Sequence, residues 1–339
     1  MNAAEIVPVG RSGVRLSRLS LGGGPLGNMY RATSDDEAQE VVDTAWKAGV
    51  RYFDTAPHYG LGLSERRLGR ALRDRPRDEY VISTKVGRLL VPNPPGTTEL
   101  DELGFEVSAT HRRVFDFSRD GVLRSVEESL ERLGLDRVDV LFLHDPDDHW
   151  EQAVDEGYPA LAELRDQGVV KAIGAGMNQA EMLARFVRHT DMDLIMLAGR
   201  YTLLEQGALD ELLPLCVACD VGVIAVGVFN SGLLSLPWPA DDAMYNYEPA
   251  PVGLIERARR IAEICERHGT ILPAAALHFP LAHPAVGSVG VGCRNAEEFE
   301  RNLELFHTPV PAELWPALRD EGLLRPDAPV PDPSLRPAK

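Results

Sequence analysis

Cysteine is scarce in this chain: 339 residues carry four, too few to staple a fold this long with disulfides. Two of them, Cys216 and Cys219, form a CxxC, and their spacing suits one face of a helix, where they read as small apolar residues. No second CxxC or Cys/His pair stands by to complete a tetrahedral site, so no metal is expected. Positive charge is also short. Thirty-five basic residues face 52 acidic ones, for a net charge of −17. That balance excludes nucleic acid and anionic membrane as expected partners, because a phosphate surface needs a basic one. A local basic pocket for a phosphorylated cofactor stays compatible with it. No apolar run reaches about 18 residues, so no membrane-spanning helix is expected. The start, MNAAEIVPVGRSGVRLSRL, has no basic segment followed by an apolar core, so no signal peptide is expected and the cytoplasm is the simplest location. Repeats of 20–50 residues and heptads are missing too, which leaves the oligomeric state open. Finally, Gly22, Gly23 and Gly24 follow the first apolar run without a capped helix behind them. This is not the glycine turn of a doubly wound dinucleotide sheet; it reads as a tight strand end where backbone approaches a ligand.

What the chain has is rhythm. Hydrophobic residues make up 44% and charged residues 26%, enough for a sizeable core. Short apolar runs alternate with amphipathic helical stretches: LSRLSLGG, VRYFD, YVISTK, VDVLFLH, VVKAIGAG, DLIMLAG, VGVIAVG and AVGSVGVG, each followed by a segment of helical period. Ser34 and Asp35 are suited to cap the first helix, and Gly49 to stop it. Eight strand–helix units with nearly continuous apolar strands predict an α/β fold, a closed parallel (β/α)8 barrel over residues 1–324. Two long loops interrupt it. Residues 88–119 carry Phe105, Phe115 and Phe117, and residues 235–251 carry Trp238, Tyr245 and Tyr247. Both are expected to overhang the C-terminal face as lids or substrate walls. From Arg325 a Pro-rich tail is expected to be loosely ordered.

Strand C-termini of such a barrel converge on one face. Asp54 closes VRYFD, Tyr59 follows in TAPHYG, Lys85 ends YVISTK and His144 ends VDVLFLH. A phenol is a poor proton carrier near neutrality, with an ordinary pKa of about 10. A neighbouring ammonium, Lys85, is expected to lower it, and Asp54 to keep Lys85 charged despite burial. His144 supplies a directional donor for a substrate oxygen. Together they form a proton donor/acceptor beside a carbonyl or alcohol, the partner that hydride chemistry with a cofactor requires.

FDTAPHYGLGLSERRLG, followed by ISTKVGR and VDVLFLHDPD, resembles the aldo-keto reductases, with the resemblance running from about Leu16 to Phe306. It implies Tyr59 as general acid/base, Lys85 and Asp54 as its tuning partners and His144 as the group that orients substrate. It also implies a nicotinamide dinucleotide bound without a Rossmann domain. AIGAGMN resembles the segment whose final Asn, here Asn178, holds the nicotinamide carboxamide. GVIAVGVFNSGLL resembles the strand that lines nicotinamide and pyrophosphate, which brings in Val226, Val228, Phe229, Asn230, Ser231, Gly232 and Leu233. VGCRNAEEFERNL resembles the adenosine end, with Gly292, Cys293, Arg294, Glu298 and Asn302; Gly23 and Asp54 border the cofactor from the first two strands. The chain departs from the pattern at Met177, where many members have Ser, at Ala198, where many have Gln, and at Val226, where a Tyr often stacks on the nicotinamide.

In NADP-preferring relatives a basic residue often stands four positions before the final Asn; here that is Glu298. A carboxylate repels a 2′-phosphate and accepts a hydrogen bond from a free ribose hydroxyl, which favours NAD, as acidic residues do in other dinucleotide sites. Arg294 argues for NADP as a possible alternative. LGGGPLGNMYR, FDTAPHYGLGLSERRLG and HDPDDH are most similar to the members that oxidise L-fucose and related aldoses at C1, with pyridoxal dehydrogenases close by. Tyr30, His58, Arg119, Asp145, Asp147 and His149 are the expected contacts to sugar hydroxyls. The leading expectation is an NAD-dependent aldose 1-dehydrogenase. The alternatives are an NADPH-dependent aldehyde or ketone reductase, a pyridoxal dehydrogenase, and a nicotinamide-binding redox sensor that regulates a partner.

Overall fold

The computed structural model describes residues 1–97, 99–246 and 248–331. Its centre is a closed barrel of eight parallel strands in sequential order: Leu19–Gly22, Tyr52–Asp54, Val81–Val86, Val140–His144, Ala172–Met177, Leu194–Ala198, Gly222–Val226 and Val286–Gly292. The last strand closes on the first through Val289 opposite Leu19 and Gly292 opposite Gly22. The strands are buried on both faces, and two clusters divide the core. Tyr52, Val140, Phe142, Leu194 and Ile224 fill the barrel. The outward residues of the same strands, such as Phe53, Leu141, Ile173 and Ile195, pack under the helices. This two-sided burial explains the nearly unbroken apolar runs in the sequence.

The helices begin and end where their local chemistry requires. Ser34 and Glu37 form a reciprocal capping box on helix Asp35–Lys47. Ser118 caps Arg119–Leu133, which Gly134 ends in the left-handed region. At the N-terminal ends of the strands, buried Asp139 accepts from the Ile82 N–H at 3.0 Å and pairs with Arg77 at 2.7 Å. Asp193 does the same with the Ile173 N–H at 3.0 Å and Arg165 at 3.3 Å. These pairs tie down the face opposite the strand C-termini.

The run LSRLSLGG does not form one strand. Arg15–Ser17 pairs antiparallel with Ile6–Pro8, and only Leu19–Gly22 enters the barrel. The Ser17 hydroxyl donates to the Leu19 carbonyl at 2.7 Å and so stabilises the bend between the two pieces. The resulting hairpin brings Val9, Val14 and Leu16 against the barrel filling and plugs its lower end.

The long loops have structure of their own. Within 88–119, Arg88–Pro92 pairs with His111–Phe115 as an antiparallel hairpin. Within 235–251, Met244–Tyr245 pairs with Glu248–Pro249, and Arg259 holds the loop by bonds to the Pro239 carbonyl at 2.9 Å and Asp241 at 2.5 Å. Tyr247 lies outside the described residues. The tail expected to be loose from Arg325 is packed over its first residues. The Arg325 N–H donates to Gln206 Oε1 at 3.0 Å, and Ala328 is buried, because its apolar side chain finds room against the helices. Residues 332–339 lie outside the described residues.

Candidate active site

The second, third and fourth strands carry Asp54, Lys85 and His144 to one place, and the loop after the second strand adds Tyr59. Lys85 Nζ donates to Asp54 Oδ2 at 2.6 Å, to the Thr55 carbonyl at 3.0 Å and to Tyr59 Oη at 3.1 Å. An ammonium has three N–H donors, so all are used. The Tyr59 oxygen is therefore an acceptor from Lys85, and its own proton is left to face the adjoining cavity. Behind this, Ser83 Oγ donates to Asp54 Oδ1 at 2.7 Å. Its single proton is then spent, so the Tyr52 hydroxyl, 2.9 Å away, must donate to Ser83. The chain Tyr52–Ser83–Asp54–Lys85–Tyr59 runs from the barrel interior to the cavity wall.

Electrostatics follow from this packing. Burial pushes the Lys85 pKa down, but the carboxylate of Asp54 and the Tyr59 oxygen outweigh it, and the net value is raised. Lys85 stays charged, as expected from the sequence. Tyr59 departs from expectation. Burial raises its pKa, Lys85 pulls it down and Asp54 adds to the rise, so the phenol sits above its ordinary value. The ammonium opposes the cost of burying a phenolate without overcoming it. His144 is held well below the usual histidine range by burial and then by the charges of Arg88 and Lys85. It is a neutral imidazole, and its buried Nδ1 has no partner among the described residues.

A cavity of about 520 Å³ opens on Tyr59 and His144. Tyr30, His58 and Asp145 line it, as do Asn178 and Val226. His58 stands edge-on to His144 with ring centroids 5.4 Å apart. A second cavity, of about 500 Å³, shares Arg88, Asp145 and Asn178 with the first and is bordered by Asp147 and His149. His149 lies against Phe115, with centroids 4.7 Å apart.

Arg119 is not at the site. It is the first residue of helix Arg119–Leu133, it is exposed, and it pairs with Glu163 at 2.9 Å. The chain returns to the outer helical layer at the Ser118 cap, so the next side chain points away from the barrel mouth. Sequence reading did not single out Arg88, Leu103 or Arg200, all cavity-lining. For Arg88 there was a signal: it stands three residues after Lys85, beyond a glycine at a strand end.

The expected cofactor residues divide into two groups. Asn178 is half-buried, lines both cavities, and its amide has no hydrogen bond among the described residues. Asn230, Ser231 and Gly232 form a turn at the mouth with φ of 47°, 58° and 97°. Asn230 Nδ2 donates to the Gly199 carbonyl at 3.0 Å, while its buried Oδ1 has no partner among the described residues. Val226 and its strand neighbour Ala198 form an aliphatic wall, and Gly292 is exposed at the end of the last strand. These groups fit a flat carboxamide-bearing ring followed by an anionic bridge. Others face inward. Val228 and Leu233 are buried in the core, with Phe229 packed against it, because alternate side chains of a tight turn must cover the barrel rim. Cys293 is fully buried and accepts from Asn302 Nδ2 at 3.2 Å. Gly23 makes a strand joint: its N–H donates to the Asp54 carbonyl at 2.7 Å, and a Cβ there would lie 2.5 Å from Ser64 Oγ. Arg294 and Glu298 are tied together, guanidinium to carboxylate at 2.7 Å, with the Arg294 N–H also donating to Glu298 at 2.9 Å.

Comparison with known proteins accords with this geometry. The model of the Aldo/keto reductase family matches residues 18–320. A D-threo-aldose 1-dehydrogenase from a Pseudomonas species is 49% identical over 317 residues, covering 92% of this chain and 96% of that one. A pyridoxal 4-dehydrogenase from Microbacterium luteolum is 38% identical, covering 96% of this chain and 99% of its own. Among solved structures, an aldo-keto reductase from Bacillus halodurans in its holo form superposes with a TM-score of 0.73 at 24% identity, covering 98% of this chain and 99% of that chain, a likeness of fold alone. The chain therefore belongs to the aldo/keto reductase family and is an NAD(P)-dependent oxidoreductase.

Proposed function

We propose that this enzyme is an aldose 1-dehydrogenase that prefers NAD and oxidises an L-fucose-like sugar at C1 to the lactone, in the cytoplasm. The observation that carries the reading is the three-way use of the Lys85 ammonium, which leaves the Tyr59 hydroxyl turned to a cavity walled by polar side chains. The 49% identity to a D-threo-aldose 1-dehydrogenase supports it. A bound nicotinamide supplies the hydride acceptor. The protein supplies the rest. Tyr59, as phenolate, takes the proton of the C1 hydroxyl, and Lys85 stabilises the charge it bears. Neutral His144 donates a hydrogen bond to the same oxygen and orients C1. Asn178 would hold the carboxamide, Val226 the ring face, and the 230–232 turn the pyrophosphate. Phenolate is the scarce form of Tyr59, so oxidation is expected to accelerate as pH rises.

The cofactor preference rests on Glu298. It already occupies the Arg294 guanidinium, so that cation offers a 2′-phosphate little uncompensated charge. Glu298→Lys is expected to shift the ratio of kcat/KM for NADP over NAD upward by roughly 10–100-fold, the range of one or two charge-assisted contacts. An unchanged ratio would place the 2′ recognition elsewhere.

The apolar side of the cavity, Leu103 and Phe105 with the Tyr59 ring 6.2 Å from Phe105, favours pyridoxal as a second reading. The deciding assay follows nicotinamide absorbance at mildly alkaline pH, with L-fucose, D-arabinose, L-galactose or pyridoxal and with NAD or NADP in parallel. NADH formation with a sugar is expected. NADPH consumption with simple aldehydes and no sugar oxidation would replace the proposal with a reductase.

A further inference from the structure

Among the described residues of the long 88–119 insertion, Arg88 alone is shared by both cavities. Its placement is built into the chain. Lys85 and Val86 finish the third strand, and Gly87 then turns at φ 94°, where a Cβ would fall 2.0 Å from the Phe117 ring. No other residue fits there, and the turn sets Arg88 at the cavity wall close behind Lys85. The guanidinium lies over the Phe115 ring, 4.9 Å from its centroid, and the side chain is 13% exposed. One N–H donates to Asp145 Oδ2, and another approaches His58 Nδ1 at 3.4 Å. A guanidinium has five N–H donors, so donors remain.

Asp145 is equally constrained. It follows His144 directly and has φ of 44°, the left-handed region that a non-glycine residue rarely adopts. Its N–H donates to the Gly176 carbonyl at 3.0 Å, which fixes that backbone. Oδ2 receives Arg88, while Oδ1 has no hydrogen bond among the described residues. Strain of this kind persists where the surroundings over-determine it, and it clusters at ligand sites. A second pair nearby provides the contrast. Arg113 and Asp101 close on each other with two bonds, of 2.5 and 3.0 Å, and Arg113 also donates to the His58 carbonyl at 2.7 Å. Both side chains are under 10% exposed and neither lines either of the two cavities. That pair braces the insertion. The Arg88–Asp145 pair faces open space.

We propose that Arg88 and Asp145 act as a fixed donor–acceptor couple that reads two adjacent hydroxyls of the sugar, next to the carbon being oxidised. This rests on the aldose reading above. Charge supports the choice of ligand. The carboxylate offsets the guanidinium, so a phosphate or carboxylate on the substrate would meet Asp145 as well as Arg88. A neutral vicinal diol can accept from one member and donate to the other. A site built to bond a substrate hydroxyl rejects the analogue lacking it far more strongly than an apolar pocket rejects a missing methylene. The couple is therefore the part of the site that sets polyol over simple carbonyl substrates.

The test compares kcat/KM for the best aldose with that for its 2-deoxy and 3-deoxy analogues, in the wild-type enzyme and in Arg88→Met and Asp145→Asn. The wild type is expected to favour the parent sugar over at least one analogue by about 10–100-fold, chiefly through KM. In Arg88→Met that preference is expected to collapse towards unity. A merely structural arginine would lower turnover of parent and analogue alike and keep their ratio. Should Arg88→Met fail to fold, Arg88→Lys, which keeps the charge and loses the fork, should show the same loss of preference. A wild type indifferent to the missing hydroxyl, or variants that keep the preference, would overturn the couple while leaving the aldose reading standing. A wild type that oxidises no aldose would overturn both.

Discussion

Tyr59→Phe is expected to lower kcat by 10²–10⁴-fold, the range for loss of a positioned proton acceptor, with little change in cofactor affinity. The ring keeps its place, since its neighbours His58, Phe105 and His144 contact the aromatic face and edge. What is lost is the oxygen that carries the Lys85 hydrogen bond to the cavity wall. One buried Lys85 N–H then lacks an acceptor, at a cost of about 1–3 kcal/mol, so the melting temperature should fall modestly. The residual activity should also lose the rise with pH expected of the wild type, because that rise comes from ionising the phenol. Lys85→Met tests the same chemistry less cleanly. It would strand the buried Asp54 carboxylate without its ion-pair partner, which typically costs 3–5 kcal/mol. Steady-state kinetics of Tyr59→Phe from neutral to alkaline pH decide the matter. Activity within threefold of wild type would show that another group takes the proton.

The second large effect concerns acid. Four histidines are held neutral: His144, His278 and His283 are buried, and His58 is half-buried. Burial pushes His58 down to about 2, with Arg88 and Arg113 adding to it, and pushes His278 and His283 down to about 4. His144 lies well below the usual value for the same first reason. The unfolded chain titrates near 6.5. Above that value neither state binds a proton at these positions, and stability is complete. As pH falls below it the unfolded chain gains protons that the folded one refuses, and stability is lost down towards the folded values. At pH 5.5 each histidine then costs about 1.4 kcal/mol, and the four together on the order of 5 kcal/mol. With the per-residue unfolding entropy of globular proteins, this corresponds to a drop of roughly 8 °C in Tm between pH 7.5 and 5.5. Thermal melts at matched ionic strength measure it. A flat profile would mean that the folded chain accepts these protons in place.

The barrel and its four central residues were legible because both depend on simple, local regularities. A strand covered on both faces must be apolar along its length, so VDVLFLH and YVISTK stand out, and a charged residue at the end of such a run has only the barrel mouth to point into. Other parts depend on contacts that no local pattern encodes. Arg119 shares a segment with the site but faces outward, since a single cap, Ser118, decides its direction. Arg88 is brought in by one positive φ. The sign of the Tyr59 shift depends on how dry the pocket is, which composition does not reveal. The SERRLG segment shows the reverse case, a conspicuous motif whose residues serve architecture. Ser64 bonds the Gly23 carbonyl at 2.7 Å, Glu65 is buried and pairs with Arg132 at 2.5 Å, and a Cβ on Gly69 would collide with the Leu133 carbonyl. Together they seat the helix that follows the Tyr59 loop.

Barrel closure has a consequence for synthesis. Ser20 bonds Val289 across 269 positions of sequence. At roughly 5–20 residues per second on the ribosome, the first strand is complete some ten seconds to a minute before the partner for its free edge has been made. During that interval the nascent chain carries an open, apolar sheet edge, the kind that pairs with other chains. The yield of active enzyme should therefore depend on how crowded and how warm the producing cell is, even where the finished barrel is stable under the same conditions.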